Sequence, residues 1–161
     1  MNDNYAIQTH RLTKIYGSGN TEVVAMRDAS VNVHRGEVVA LLGPSGAGKS
    51  TFLTAVGLIT PLTSGRVTIG GKLVLDGPYA QTNMQSFRRQ HIGYVFQKSN
   101  LIPFLTACEN VKIALELSGY SSRAARRKAM ELPEYLGVAD RERNLPSMRS
   151  GCQQQRVAVA R

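Results

Sequence analysis

Residues Val38-Val39-Ala40-Leu41-Leu42-Gly43-Pro44-Ser45-Gly46-Ala47-Gly48-Lys49-Ser50-Thr51 decide how this chain is read. An apolar run of buried-strand type leads straight into G-x-x-x-x-G-K-S, the strand, glycine-rich loop and helix start of a Walker A phosphate cradle. Gly43, Gly46 and Gly48 let the backbone curl with its N–H groups turned inward, some of them at φ > 0, where a Cβ would clash. Lys49 then offers a compact positive charge to the β- and γ-phosphates of a nucleotide. The Ser50 hydroxyl can join the coordination shell of Mg²⁺. The helix that starts here aims unpaired N–H groups and its positive dipole end at the same phosphates.

Around this motif the composition sets limits. The chain has 161 residues, of which 42% are hydrophobic, enough for one globular domain with a core. The first eleven residues are polar and lack a secretory pattern, and no apolar run approaches the ~18 residues of a membrane span. Cys108 and Cys152 are isolated, which suits a reducing cytosol and supplies no zinc pair. A net charge of +9 suits nucleic acid or an anionic membrane surface. No cold-shock, helix-turn-helix or RNP pattern accompanies it, so no nucleic-acid partner is expected.

The periodicity gives an α/β chain. Strands are predicted at 5–16, 23–34, 38–42, 66–69, 72–75 and 92–96, the last ending at Gln97. Helices are predicted at 49–58, at 82–89 with a Thr82/Gln85 capping box, and from Thr106, whose box partner is Glu109. In that third helix Cys108, Val111, Leu115 and Ser118 share a face. A further helix at 121–136 carries Arg123, Arg126, Arg127 and Lys128, read as a solvated face. Pro133 interrupts it and predicts a kink or two shorter helices. Ser150 and Gln153 are spaced as a capping box for a last helix.

With these residues in view, the chain resembles the first two-thirds of an ABC transporter ATP-binding subunit, in the branch serving macrolide-export and lipoprotein-release permeases. The likeness is carried by Leu12-Thr13-Lys14-Ile15-Tyr16-Gly17, the Walker A loop and Ile92-Gly93-Tyr94-Val95-Phe96-Gln97. Asn100-Leu101-Ile102-Pro103-Phe104-Leu105-Thr106 and Gly151-Cys152-Gln153-Gln154-Gln155-Arg156-Val157-Ala158 complete it. The resemblance implies an incomplete P-loop NTPase (ABC ATPase) fold. A β subdomain of antiparallel strands and a partial RecA-like core would occupy 1–97. A helical subdomain would follow at 98–150, and the start of the signature helix at 151–161.

It also implies roles for particular residues. Tyr16 would stack on adenine, although a tyrosine at a strand end also serves plain packing. Gly43, Pro44, Ser45, Gly46, Ala47, Gly48, Lys49, Ser50 and Thr51 would wrap the phosphates of ATP. Ser50 and Gln97 would hold Mg²⁺, with Gln97 also sensing the attacking water. Residues 101–105 would meet a permease coupling helix, and the same apolar stretch also reads as subdomain core. Ser150, Gly151 and Gln153 match the signature motif L-S-G-G-Q, which acts in trans on the nucleotide of a second ATP-binding subunit in a head-to-tail dimer. Arg149 and Cys152 depart from that motif.

The family's Walker B Asp, catalytic Glu and switch histidine have no counterpart in these 161 residues, since His10, His34 and His91 all precede the signature. ATP turnover by this stretch alone is therefore not expected. The strands at 38–42 and 92–96 are expected to lack sheet neighbours and to expose apolar faces. The reading is a transport ATPase subunit held at the cytoplasmic face of the membrane through its permease. The alternatives are a non-catalytic remnant or a permease-binding decoy; a small P-loop kinase would need a lid and acceptor base that are not found.

Overall fold

The computed structural model describes residues 4–135, 145–148 and 150–161. The chain divides into two compact units, Met1–Ile92 and Gly93–Arg161.

The first unit is built on β1 (Tyr5–Tyr16), a strand long enough to be shared by three partners. On one edge it pairs antiparallel with β2 (Val23–Ala29) and β3 (Asn32–His34), and on the other with β4 (Ser64–Ile69). The sheet continues through β5 (Lys72–Asp76) and β6 (Tyr79–Ala80), all antiparallel. The single strand expected at 23–34 is thus two. The ladder breaks at Ser30 and Val31, after Ala29 has paired with Leu12; Asp28, at φ 48°, accompanies a register shift inside β2. The gap is filled by side chains: Val31 N–H donates to Thr9 Oγ1 at 2.7 Å and Arg11 N–H to Ser30 Oγ at 2.8 Å.

Helix α1 (Lys49–Val56) packs against β1 and β2. It ends two residues earlier than the 49–58 expected, because Gly57 caps it and Leu58 turns to φ 57°. Leu12, Met26, Ala55, Leu58, Leu62, Val67, Val74, Leu75 and Phe87 form the core between sheet and helices. Burial of each of the larger side chains contributes roughly 1.5–3 kcal/mol.

Helix α2 (Met84–His91) corrects another expectation. Its N-cap is Asn83, whose Oδ1 accepts from Ser86 N–H at 3.0 Å, not Thr82 with Gln85. Asparagine is at least as good a cap, and the register that buries Phe87 needs the start one residue later.

Two predicted strands do not form. Residues 38–42 and 92–96 have no ladder partner among the described residues. Val38 is 97% and Leu42 90% exposed, so these apolar side chains have nothing to pack on. A β run is stabilised by cross-strand pairs, and a propensity for extended structure does not supply them.

The second unit is helical. Helix α3 (Ala107–Leu117) opens at Thr106 with the expected capping box: Thr106 N–H donates to Glu109 Oε2 at 2.8 Å, and Glu109 N–H returns to Thr106 Oγ1 at 3.3 Å. On its face Val111 is buried and Cys108 and Leu115 pack beside it, whereas Ser118 is exposed and caps the end. Helix α4 (Ser122–Tyr135) packs Ala125 and Ala129, both fully buried, toward the interior. It runs as one helix through Pro133, not as two, with the proline in its last turn; the expected end at Leu136 lies outside the described residues. A 3₁₀ turn (Pro146–Met148) and helix α5 (Gly151–Ala160) complete the unit.

Candidate nucleotide-binding site

The loop between Leu42 and α1 takes the curled form its glycines predict. Gly43, Gly46 and Gly48 all have positive φ, at 147°, 82° and 79°. At Gly48 the requirement is twofold, because a Cβ there would lie 2.5 Å from the Ala25 carbonyl oxygen of β2. Only glycine lets the loop seat so closely on the strand while turning left-handed into the helix. Ala47 N–H closes the turn onto Pro44 O at 3.3 Å.

The first α1 backbone hydrogen bond is Phe52 N–H to Gly48 O at 2.8 Å. The N–H groups of Lys49, Ser50 and Thr51 therefore precede the helical ladder, as at any helix start. Lys49 Nζ donates to Gly43 O at 2.7 Å and Pro44 O at 2.6 Å. An ammonium has three donors, so the lysine latches the loop by two and keeps a third. Residues Gly43 to Ser50 are mostly exposed; Gly48 and Lys49 are half-buried. Beneath them a cavity of about 190 Å³ is lined by Met26, Ala29, Leu41, Leu42, Gly48, Lys49 and Phe52 among others.

Tyr16 stands at the end of β1 opposite Val23 of β2, and its ring is 45% exposed. Lys14 Nζ lies 4.8 Å from the ring centroid. The first unit thus contains Tyr16 and the whole 43–51 loop, with β2 common to both settings.

Gln97, Ser150, Gly151 and Gln153 belong to the second unit. Ser150 caps α5 as predicted, its N–H donating to Gln153 Oε1 at 3.2 Å and its Oγ accepting from Gln153 N–H at 3.4 Å. Cys152 is exposed in the first turn, so its side chain does not block the capping box; Arg149 lies outside the described residues. Gln97 is exposed and shares a groove of about 590 Å³ with Gly151, Gln154 and Gln155. Within the 101–105 stretch, Leu101 packs against the helical core whereas Phe104 projects, 76% exposed. The reading of this stretch as subdomain core holds for Leu101.

Two residues that hold this unit together were not singled out from sequence. Asn110, fully buried in α3, accepts from Ile102 N–H at 2.7 Å and donates through Nδ2 to Ile102, Leu105 and Thr106 carbonyls at 3.1, 2.9 and 3.0 Å. Gln154 accepts from Ser99 Oγ at 3.1 Å and donates to Pro146 O at 2.9 Å. An asparagine between the capping box and an apolar helix face was the available signal. Gln154 had none, standing in a run of three glutamines.

A phosphate-type glycine loop, sprung between an antiparallel sheet and the start of a helix and latched by its lysine, defines the P-loop nucleotide-binding class. Comparison with known proteins narrows the class. Residues 26–161 match the family described as ABC transporter, and the chain belongs to that family. It is 37% identical over 155 residues to the macrolide export ATP-binding/permease protein MacB of Burkholderia pseudomallei, covering 96% of this chain and 23% of that protein. It is 42% identical over 159 residues to the methionine import ATP-binding protein MetN of Streptomyces avermitilis, covering 96% of this chain and 46% of that one. The chain therefore spans less than half the length of both. Among solved structures, the ATP-binding cassette MJ0796, in a dimeric post-hydrolysis state bound to ADP and Pi, matches with a TM-score of 0.85 at 35% identity. That match covers 96% of this chain and 67% of the other. The fold is accordingly that of an ABC ATPase cassette, with the antiparallel sheet, phosphate loop and helical portion present in this chain.

Proposed function

We propose that this chain is the nucleotide-binding portion of an ABC transporter ATPase, which takes Mg-ATP on the 43–51 loop and engages a membrane permease through the helical unit. The observation that carries the reading is the loop itself: three glycines at positive φ, the N–H groups of residues 49–51 ahead of the helical ladder, and Lys49 beside them. These groups fit a polyphosphate, since they offer directed donors and a cation with no carboxylate in the loop. Ser50 would hold Mg²⁺ from the helix start and Gln97 would complete its shell, and the ion, when bound, would neutralise phosphate charge. Tyr16, exposed at the sheet end, would take the adenine ring.

The related cassette bound to ADP and Pi supports the ligand class, and the MacB and MetN relatives support the transport setting. Phe104, 76% exposed, offers an apolar anchor of the kind expected for a permease helix. Ser150, Gly151 and Gln153 would face the nucleotide of a second ATP-binding subunit in a head-to-tail dimer. The domain division carried forward is a β subdomain with part of the nucleotide core up to Gln97, a helical subdomain to Ser150, and the signature helix beyond it. No helix among the described residues is long and apolar enough to cross a membrane, so the permease would provide attachment at the cytoplasmic face. Titration with a fluorescent ATP analogue, with and without EDTA, tests the proposal. Saturable binding that unlabelled ATP displaces and EDTA weakens is expected; no binding at all would overturn it.

A further inference from the structure

Helix α4 carries its charges in an order that works against its own stability. Arg123, Arg126, Arg127 and Lys128 crowd the first two turns, and no acidic residue stands in the first turn. Glu131 and Glu134 come toward the end. Cations at a helix N-terminus and anions near its C-terminus both oppose the macrodipole. Arg123 and Arg127 are also four residues apart, a spacing at which like charges repel. None of the three arginines makes an ion pair among the described residues, and all three are exposed. Glu131, four residues after Arg127, offsets only part of this, and the arginines face outward, open to a partner outside the helix.

What surrounds them indicates its chemistry. Met130, four residues after Arg126 and three after Arg127 on α4, is 50% exposed. Tyr120, in the turn joining the two helices, lies with its ring centroid 4.4 Å from Lys128 Nζ, which also donates to its hydroxyl at 3.0 Å. A basic stripe with apolar side chains at its border suits a lipid interface, where headgroups take the charge and the acyl boundary takes the apolar groups. The first two turns of α4 carry no aromatic residue on which a base could stack, which disfavours a polynucleotide. We propose that the first two turns of α4 form a docking site for an anionic phospholipid surface, through Arg123, Arg126, Arg127 and Lys128. The site is independent of the nucleotide loop.

Vesicle flotation tests this with the whole chain, because lipid-bound protein rises while aggregates sink. Vesicles of 30 mol% phosphatidylglycerol in phosphatidylcholine should carry the chain upward at low salt; pure phosphatidylcholine should not, and ~0.5 M NaCl should release it. Each cation near such a surface contributes about a fivefold factor in partitioning, so R123Q/R126Q/R127Q should weaken binding on the order of 100-fold. R123K/R126K/R127K should restore it, and R27Q/R35Q/R89Q, which removes equal charge from the other unit, should leave most of it. Equal flotation of the glutamine variant overturns the proposal, as does failure of the wild type to float. Loss of binding in the R27Q/R35Q/R89Q variant to the same degree also overturns it, and so does tighter binding to a single-stranded oligonucleotide than to the vesicles.

Discussion

Substituting Gly48 by alanine tests the geometry of the phosphate loop at its tightest point. The added Cβ would stand 2.5 Å from Ala25 O and 3.7 Å from Met26 Cβ, while real Cβ contacts essentially never fall below 3.0 Å. Ala25 O cannot yield cheaply, since it is backbone of β2, whereas Met26 Cβ would make an ordinary contact. The residue must also keep φ near 79° or give up the turn into α1. Left-handed backbone costs an alanine about 1–2 kcal/mol, and forcing loop and strand apart adds a comparable amount. Gly46→Ala is the control: its φ is 82° but nothing lies within 4 Å of a Cβ. It should therefore lose only the backbone share, about 1–2 kcal/mol. Urea unfolding of both variants, followed by titration with a fluorescent ATP analogue, separates the two effects. Gly48→Ala should be the less stable by at least about 1 kcal/mol and the weaker binder. Equal stabilities and affinities would refute the claim that the approach of loop to β2 fixes the cradle.

Further outcomes follow from the second unit and the exposed run. Asn110→Ala should cost about 2–4 kcal/mol in denaturant unfolding, because it strands the Ile102 N–H and the Leu105 carbonyl around a fully buried site, while the Ile102 and Thr106 carbonyls keep backbone donors; a loss under 0.5 kcal/mol would contradict this. The Glu109 carboxyl is held below its usual range by the Thr106 backbone N–H first and the Thr106 hydroxyl second. A depressed carboxyl supports the fold above its unfolded pKa and loses that support as pH falls through the folded one. Amide protection factors at the start of α3, with the intrinsic pH dependence of exchange divided out, should accordingly fall in acid, and Thr106→Ala should flatten that dependence. Val38→Lys should change stability by less than about 0.5 kcal/mol, given its 97% exposure. Val67→Ala, at a fully buried position, should cost several times more in the same melts.

Much of this structure was readable from local chemistry. The 43–51 loop and the Thr106/Glu109 and Ser150/Gln153 boxes depend mostly on neighbours within a few residues, and each formed as the sequence implied. The 38–42 and 92–96 runs are the counterexample. Their β-branched and aromatic residues favour a pleated surface, but pairing is a long-range property, and no partner among the described residues supplies it. The split of β2 from β3 was hidden for a related reason: Ser30 and Val31 make the break with Arg11 and Thr9, through contacts some 20 positions apart. At the candidate site, residue types announced the phosphate loop. The Lys49 latch onto Gly43 and Pro44 carbonyls, and the close seat of Gly48 on Ala25, needed the three-dimensional backbone.

Lys49→Ala, titrated beside the wild type with a fluorescent ATP analogue in the presence of Mg²⁺, tests the central claim most directly. The substitution removes the one cation in the 43–51 loop and releases its hold on Gly43 and Pro44. Hydrogen bonds to a charged group contribute about 1.5–3 kcal/mol each, so affinity should fall at least about tenfold. Equal affinities for the two proteins would show that nucleotide, if bound at all, does not bind on this loop.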